Sequence, residues 1–354
     1  MNTPQIAHRC LPALGVFLLA ACGSDSTGPA ATSLPGQIAF IRDNDIYVMN
    51  ADGSAASRLT NTNTGLPIPT SYPAWSPNGA QIAFDNSEDV YVMSADGSGL
   101  RQLTNSAGSG TDFVAWSPDG RKILFQRDGI YVMNADGSGV HNLTNDGAVN
   151  RFVPGANAWS PDGSKIAFKS DRDGGVDHSL QIYVMNADGS GVRRLTNIGV
   201  SQLQTCCATW SPDGARIAFV STGDIYAINA DGSALHNLTN NPRDYWFPKW
   251  SPDGTKILFY SNPPNGLLDL YVMNADGTGL VRLVTNPAPA SSASWSPDGT
   301  QIVWDCWNIC VMNADGTGAH NLTRSSPVVD RLPAWRTRGA MRTLVAVSWD
   351  PTSR

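Results

Sequence analysis

Short apolar runs recur along the chain at intervals of roughly 40 to 50 residues, and polar turn residues bound each run. The runs have two forms, represented by Ile123–Phe125 and by Ile130–Met133. β-Branched and aromatic residues of this kind favour strands. Apolar residues at consecutive positions are typical of a sheet that is covered on both faces. The pattern therefore predicts a series of small sheets stacked against one another.

Two turn motifs alternate between the apolar runs, and their order never changes. The first, W-S-P-D-G, begins at Trp75, Trp116, Trp159, Trp210, Trp250 and Trp295, with Asn78 replacing Asp once and a degraded copy at Trp335. The second, N-A-D-G, ends at Gly53, Gly97, Gly137, Gly189, Gly232, Gly277 and Gly316. Proline presets the turn backbone, Asp caps it, and Gly accepts a left-handed conformation. Each repeat is thus predicted to be a four-stranded antiparallel meander, whose fourth strand ends in L-T, as at Leu143-Thr144.

The fold class predicted is all-β: a single β-propeller of seven four-stranded blades over residues 37–354. The chain enters at Gln37 with a second-strand sequence, and the missing inner strand comes only around residues 332–335. The N- and C-terminal strands should therefore pair in one blade, which removes exposed sheet edges. Because residues 343–349 form one more apolar run, an eighth, partial blade is the alternative.

The N-terminal residues have the features of an export signal. Arg9 precedes an apolar run, Leu11–Ala21, that is too short to span a bilayer. Leu19–Cys22 resembles the lipobox of bacterial lipoproteins, which implies that residues 1–21 are a signal peptide and that Cys22 becomes lipidated. A plain secretory signal is the alternative. Residues 22–36 are predicted to be a flexible tether.

The net charge and the N-terminal signal limit the possible partners and the possible location of the protein. Without residues 1–21 the chain has 23 basic and 30 acidic residues, which argues against nucleic acid as a partner. We expect a monomer in the cell envelope, held at the membrane by lipid alone. Gly23 in place of Asp after the lipidated cysteine favours the outer membrane, facing the periplasm. No cofactor is expected.

Four further cysteines, in a compartment that permits disulfides, leave their pairing open. Cys306 and Cys310 could clip a hairpin, whereas Cys206 and Cys207 could form a vicinal bridge or pair across blades. A metal site is the alternative, although no histidine lies near either pair in the sequence.

The two motifs resemble the TolB-type propeller repeat, a WD40-like family in which W-S-P-D-G and I-Y-V-M-N-A-D-G recur in each blade. The resemblance covers about residues 37–335. It implies a β-propeller with a general binding role at the cell envelope.

Alternate turns of a meander fall on opposite faces of the propeller. The two motif turns should therefore share one face, here termed the regular face, while all other loops form the variable face. Binding residues usually lie on such irregular loops. The repeat tryptophans and turn aspartates are instead predicted to serve packing and turns, and His141, His236 and His320 to lie far apart on outer strands.

Two stretches of the variable face supply candidate ligand-binding residues. The long loop of residues 169–181 contains Arg172, Asp173 and His178, and residues 243–247 contain Arg243, Tyr245 and Trp246, a composition found at binding hot spots. Solvation of the first stretch and packing of the second are the alternatives. Trp307, beside Cys306, is a further candidate.

The sequence favours a non-catalytic binding or scaffold protein for an envelope protein or glycan. No catalytic residue and no metal site is assigned, because no catalytic constellation is evident. The alternative is a propeller enzyme such as a polysaccharide lyase, which would need several histidines or carboxylates near the axis. Calcium held by the Asp-rich loop of residues 171–177 is a third hypothesis.

Overall fold

The computed structural model describes residues 36–62, 73–106, 110–151, 158–173, 180–198, 206–240, 244–262, 268–285, 292–324 and 329–336. The predicted signal peptide, the tether before residue 36 and the apolar run of residues 343–349 lie outside these residues.

The described strands form seven four-stranded antiparallel sheets, each a propeller blade. From the inner to the outer edge, blade 1 contains β28 (Asp330–Trp335), β1 (Gln37–Arg42), β2 (Asp45–Asn50) and β3 (Ser57–Arg58); blade 2 contains β4 (Ala74–Trp75), β5 (Gln81–Asp85), β6 (Val90–Ser94) and β7 (Arg101–Gln102); blade 3 contains β8 (Asp112–Trp116), β9 (Lys122–Gln126), β10 (Ile130–Asn134) and β11 (His141–Asn142). Blade 4 contains β12 (Asn150–Arg151), β13 (Lys165–Ser170), β14 (Gln181–Asn186) and β15 (Arg193–Arg194); blade 5 contains β16 (Cys206–Trp210), β17 (Arg216–Ser221), β18 (Asp224–Asn229) and β19 (His236–Asn237). Blade 6 contains β20 (Asp244–Trp250), β21 (Lys256–Asn262), β22 (Asp269–Asn274) and β23 (Val281–Val284); blade 7 contains β24 (Ala293–Trp295), β25 (Gln301–Asp305), β26 (Ile309–Asn313) and β27 (His320–Asn321).

The predicted sharing of one blade by the two ends of the described chain is confirmed. Strand β1 pairs antiparallel with β28, and Ile38 lies opposite Trp335. The described strands thus close a ring of seven blades, as the repeat count predicts.

The apolar runs build the core because adjacent blades cover both faces of each sheet. Leu258 and Tyr260 of β21 face the next blade, where they pack against Ala293 and Trp304. Ile257 and Phe259, the alternate residues of the same strand, pack against Ala218 of the preceding blade. Both side-chain directions are therefore buried, which explains why the sequence shows continuous apolar runs instead of alternation.

The two motif turns have the backbone that their residues favour. In the W-S-P-D-G turns the glycine N–H donates to the serine carbonyl, as between Gly120 and Ser117 at 2.8 Å, and the Asp119 carboxylate accepts from the Arg121 amide at 3.0 Å. In N-A-D-G, Gly277 has a φ of +87°. The two kinds of turn also contact each other, since Ala135 N donates to Arg121 O. Both therefore lie on one face of the ring, as predicted.

In six of the seven described blades the repeat tryptophan forms a hydrogen bond to the preceding blade, whereas the indole Nε1 of Trp335 in blade 1 is buried without such a bond. In those six blades the indole Nε1 donates to the carbonyl of the residue that precedes the tryptophan of the preceding blade. Trp116 donates to Ala74 at 3.0 Å, and Trp295 donates to Lys249 at 3.2 Å. The same bond is formed by Trp75, Trp159, Trp210 and Trp250. The packing role predicted for this residue thus includes a directed bond between blades.

In six blades the fourth strand has only two residues and the L-T residues lie beyond it, whereas β23 of blade 6 has four residues and contains Leu283. Strand β11 contains two residues, and Thr144 follows its end. The Thr144 hydroxyl accepts a hydrogen bond from the Ile130 amide at 2.9 Å and so continues the sheet with a side chain. Because blades 1, 2, 4, 5 and 7 have the equivalent bond, the threonine of the L-T consensus has a structural role.

The inner strands contain a feature that the sequence did not predict. In four blades, the residue three positions before the tryptophan has a positive φ although it is not glycine. The register between the inner and second strands shifts at this residue. These residues are Phe113, Cys207, Phe247 and Leu332. Bulges of this kind bend a strand and redirect the side chains that follow. Here the redirected residues lie next to the propeller axis.

Candidate functional site

Arg172 and Asp173, two predicted ligand-binding residues, are engaged within blade 4. The Arg172 guanidinium lies 5.0 Å from the centre of the Phe168 ring and donates to Asn150 Oδ1 at 2.8 Å. It also pairs with the Asp146 carboxylate at 3.0 Å. The Asp173 carboxylate accepts from the Tyr183 hydroxyl at 2.7 Å. Burial of the phenol and, to a smaller extent, this carboxylate raise the pKa of Tyr183 to about 12.

The arrangement at Arg172 recurs in other blades. Arg42 lies 5.2 Å from the Phe40 ring centre, and Arg127 lies 5.5 Å from that of Phe125. Three blades therefore use an arginine at the end of the second strand to cover a stacked Phe–Tyr pair. A ligand-binding role for Arg172 would be additional to this packing role.

The aromatic residues of blade 6 divide between core and surface. The Tyr245 side chain is 1% exposed and packs edge-on against Phe259, so it belongs to the core. Trp246, the next residue, is 37% exposed near the start of β20 on the variable face. Of these two predicted contacts, Trp246 is the one placed where a ligand can reach it.

Trp307 is exposed in the turn between β25 and β26, also on the variable face. Its side chain is 57% exposed and its φ is +68°. A disulfide between Cys306 and Cys310 closes this turn, as the sequence allowed. Cys207 is also disulfide-bonded.

Cys306 and Phe247, the chain neighbours of the two exposed tryptophans, pack against the same core between blades 6 and 7. Trp246 and Trp307 therefore flank one junction.

Three other predicted site residues, Cys22, His178 and Arg243, lie outside the described residues. Of the Asp-rich loop, Asp171 accepts a hydrogen bond from the Val149 amide at 2.8 Å. The side chains of His141, His236 and His320 are exposed on the outer strands of three different blades, as predicted.

Within the described part of the chain, no three side chains of His, Cys, Asp or Glu come close enough together to hold a metal ion. None of the described segments is a helix of the length and apolar character needed to cross a membrane.

A cavity of about 620 Å³ lies on the propeller axis and extends to the regular face. The residue before the tryptophan lines it in all seven blades: Ala74, Ala115, Ala158, Thr209, Lys249, Ser294 and Ala334. Six of the repeat tryptophans and the six prolines of the W-S-P-D-G turns complete most of the wall. Among these described lining residues, Lys249 is the one with an ionisable side chain.

The surroundings of Lys249 and Asp305 shift the pKa of both side chains. Loss of hydration lowers the pKa of Lys249 to about 8, although the attraction of Asp305 opposes the shift. Burial raises the pKa of Asp305 to about 7, against the effect of nearby backbone N–H groups and of Lys249. The lysine and the carboxyl thus titrate close to neutral pH.

Lys249 was not predicted from the motifs, because the residue before the tryptophan is not part of W-S-P-D-G. Aligning the seven copies on the tryptophan would have revealed it, since small residues precede six tryptophans and a lysine precedes the seventh. That these positions border a shared cavity is visible only in the structure.

Comparisons with known proteins agree with the architecture. The family model described as the TolB β-propeller domain matches residues 126–222 and 200–341. No curated protein matches the chain. TolB from Acinetobacter baumannii is similar at 20% identity and a TM-score of 0.53, over 85% of this chain and 66% of that one. The chain therefore spans just under two thirds of that protein's length.

Two further solved structures share the fold. A putative TolB from Agrobacterium tumefaciens has 22% identity and a TM-score of 0.53, over 75% of this chain and 96% of that one. Oligogalacturonate lyase from Vibrio parahaemolyticus has 15% identity and a TM-score of 0.60, over 82% of this chain and 86% of that one. At such identities the similarity shows the fold alone.

Proposed function

Because this chain belongs to the TolB β-propeller domain family, we propose that it is a non-catalytic binding protein of the bacterial cell envelope. In this proposal, lipid on Cys22 holds the protein at the outer membrane, and the variable face binds an envelope protein or glycan. The observation that carries the proposal is the exposure of Trp246 and Trp307 beside one blade junction, whereas the seven repeat tryptophans are buried.

Exposed tryptophans on a rigid support suit binding for a physical reason. A large apolar side chain in water gains free energy when a partner covers it, and tryptophan is enriched among residues that dominate interfaces. Trp307 is held by a disulfide-closed turn, and Trp246 lies on a strand paired with β21. Little conformational freedom of the backbone would be lost on binding.

Photo-crosslinking in envelope fractions tests the binding surface. A photoreactive group is placed at Asn308, and the adducts are compared between the parent protein and the variant Trp246→Ala/Trp307→Ala. We expect at least one specific adduct of the parent protein to fall about tenfold or more in the variant. The matched control is Leu280→Ala, which removes an exposed apolar side chain from the outer edge of blade 6. Unchanged adducts in the tryptophan variant would exclude this surface.

The lipid anchor needs its own test. Cells that express the protein are labelled with radioactive palmitate, and the Cys22→Ala variant serves as the comparison. Label in the parent protein and none in the variant would support lipidation at Cys22. Equal label, or none in either protein, would contradict it.

A polysaccharide lyase is the alternative, prompted by the shared fold with oligogalacturonate lyases, one of which was solved in complex with manganese. Incubation with polygalacturonate and Mn²⁺ would reveal lyase activity as ultraviolet absorbance of unsaturated products. Metal-dependent turnover would replace the binding proposal by an enzymatic one.

A further inference from the structure

The axial cavity combines an apolar wall with a single cationic side chain among its described lining residues. Tryptophan rings and turn prolines form much of the wall, and Lys249 lines the cavity from the inner strand of blade 6. The bulge at Phe247 lies between Trp246 and Lys249 on that strand. One strand thus presents Trp246 near the variable face and Lys249 to the cavity that extends to the regular face.

The size and composition of the cavity suit a small organic molecule. Ligand pockets typically enclose about 300 to 1,000 Å³ and combine mostly apolar walls with a few polar groups that orient the ligand. The volume here, about 620 Å³, falls inside that range. At the position of Lys249, the other six blades have alanine, serine or threonine, which leave space beside the lysine.

The charged groups around the cavity favour one anionic group over several. Asp305 faces Lys249 from blade 7 and is the acid whose field acts on the lysine. Four turn aspartates next to the cavity prolines, Asp119, Asp162, Asp213 and Asp253, have a lowered pKa, chiefly because serine hydroxyls donate to their carboxylates. They are ionised at neutral pH and would repel a multiply charged anion. A monoanion whose charge reaches Lys249 is attracted by the lysine, and the aspartates repel it less than they would repel a multiply charged anion.

We propose that the axial cavity binds an organic monocarboxylate, whose carboxylate contacts the Lys249 ammonium while its apolar body packs against the tryptophan and proline wall. Carboxylate is the anion that a single ammonium group can match, whereas phosphate sites usually add arginines or several backbone N–H groups. The site is distinct from the variable-face surface and involves neither Trp246 nor Trp307. A test of this site is therefore independent of the proposed envelope partner.

Calorimetry with matched probes tests the proposal on the purified full chain. The probes are 4-phenylbutyrate and 4-phenylbutyramide, which differ in charge and hardly in shape. We expect the parent protein to bind the acid about tenfold or more tightly than the amide at pH 7. Binding should also change the tryptophan fluorescence, because six tryptophans line the cavity.

Variants assign the preference to the lysine. Lys249→Met should abolish the preference for the acid and leave amide binding unchanged, whereas Lys249→Arg should retain it. Lys122→Met, which removes an exposed lysine of β9, should behave as the parent protein. Circular dichroism and melting temperature establish that each variant is folded. If Lys249→Met does not fold, a comparison of Lys249→Arg with the parent at pH 7 and pH 10 replaces it, since arginine remains charged at pH 10 and lysine does not.

Three results would overturn the proposal. The first is equal affinity of the parent protein for acid and amide. The second is no binding of either probe at millimolar concentration. The third is a preference for the acid that survives in Lys249→Met or, in the replacement experiment, survives in the parent protein at pH 10 as fully as in Lys249→Arg.

Discussion

Arg42 and Asp330, 288 residues apart in the chain, form a two-pronged ion pair inside blade 1. Arg42 Nε and Nη2 donate to the two carboxylate oxygens of Asp330 at 2.6 and 2.7 Å. The Asp330 side chain is buried, and the arginine also covers the rings of Phe40 and Tyr47. The pair thus joins the first and last described strands of the ring, β1 and β28.

Removal of the arginine should weaken this closure. Arg42→Met leaves the Asp330 carboxylate buried without its cation, so we expect the free energy of unfolding to fall by about 3 to 5 kcal/mol. Urea denaturation measures the change. The control is Arg121→Met, whose pair with Asp119 is exposed and 3.9 Å long and should contribute less than about 1 kcal/mol. Similar losses in both variants would contradict the assigned role of the Arg42–Asp330 pair.

Asp305 should make stability depend on pH in the acid range. Its folded pKa of about 7 exceeds the unfolded value of about 3.9, so the folded state binds the proton more tightly. The stabilisation is complete below about pH 4 and is lost as pH rises to about 7. The stability of the parent protein relative to Asp305→Asn should therefore fall by roughly 2 to 4 kcal/mol between pH 4 and 7.5.

The difference between the two proteins isolates Asp305 from the other acids. The turn aspartates have a lowered pKa and produce the opposite trend, but both proteins contain them. In the parent protein Lys249 titrates at about pH 8, above the window; loss of Asp305 lowers the pKa of Lys249 in the variant, which adds to the relative fall of the parent near the upper end of the window. Denaturant titrations at five pH values would show the trend, and a constant difference would argue against a raised pKa.

Substitution of Gly277 should lower the free energy of unfolding more than substitution of another glycine that also has a positive φ. Its φ is +87°, and an added Cβ would lie 2.7 Å from the Leu238 carbonyl oxygen of the preceding blade. We expect Gly277→Ala to cost about 2 to 4 kcal/mol, from backbone strain together with displacement of that carbonyl. Gly147 has a φ of +73° with no atom within 4 Å of the added Cβ, so Gly147→Ala should cost about 1 to 2 kcal/mol. Thermal unfolding of both variants provides the comparison. Equal losses of stability would mean that the contact with the preceding blade adds nothing to the cost of backbone strain.

The Cys306–Cys310 disulfide should contribute a modest stabilisation because it closes a short loop. The variant Cys306→Ser/Cys310→Ser is expected to lose about 2 kcal/mol, the value for a loop of about five residues in the chain-entropy account. Differential scanning calorimetry would record the lower melting temperature. Trp307 should also become more mobile, which time-resolved fluorescence anisotropy can detect against Trp307→Phe as background. A variant with unchanged melting and anisotropy would show that the turn is rigid without the bond.

The repeat residues made the fold predictable because their constraints are local. Proline and glycine in the motif turns fix backbone angles, and β-branched runs favour strands wherever they occur. The phase of the repeat also predicted that β1 and β28 share a blade. Candidate site residues were harder to assess. Tyr245 and Trp246 are adjacent and alike in sequence, yet the first is buried against Phe259 and the second is exposed, because successive residues of a strand point in opposite directions.

The sequence by itself determined the blade, its turns, the number of repeats and the pairing of β1 with β28, since each follows from residues close together or from simple counting. Only the tertiary structure decided which residues meet across blades. The contacts of Arg42 with Asp330 and the position of Lys249 beside the axial cavity depend on the ring being closed. Closure brings residues from seven distant segments around one cavity, and no local pattern encodes that convergence.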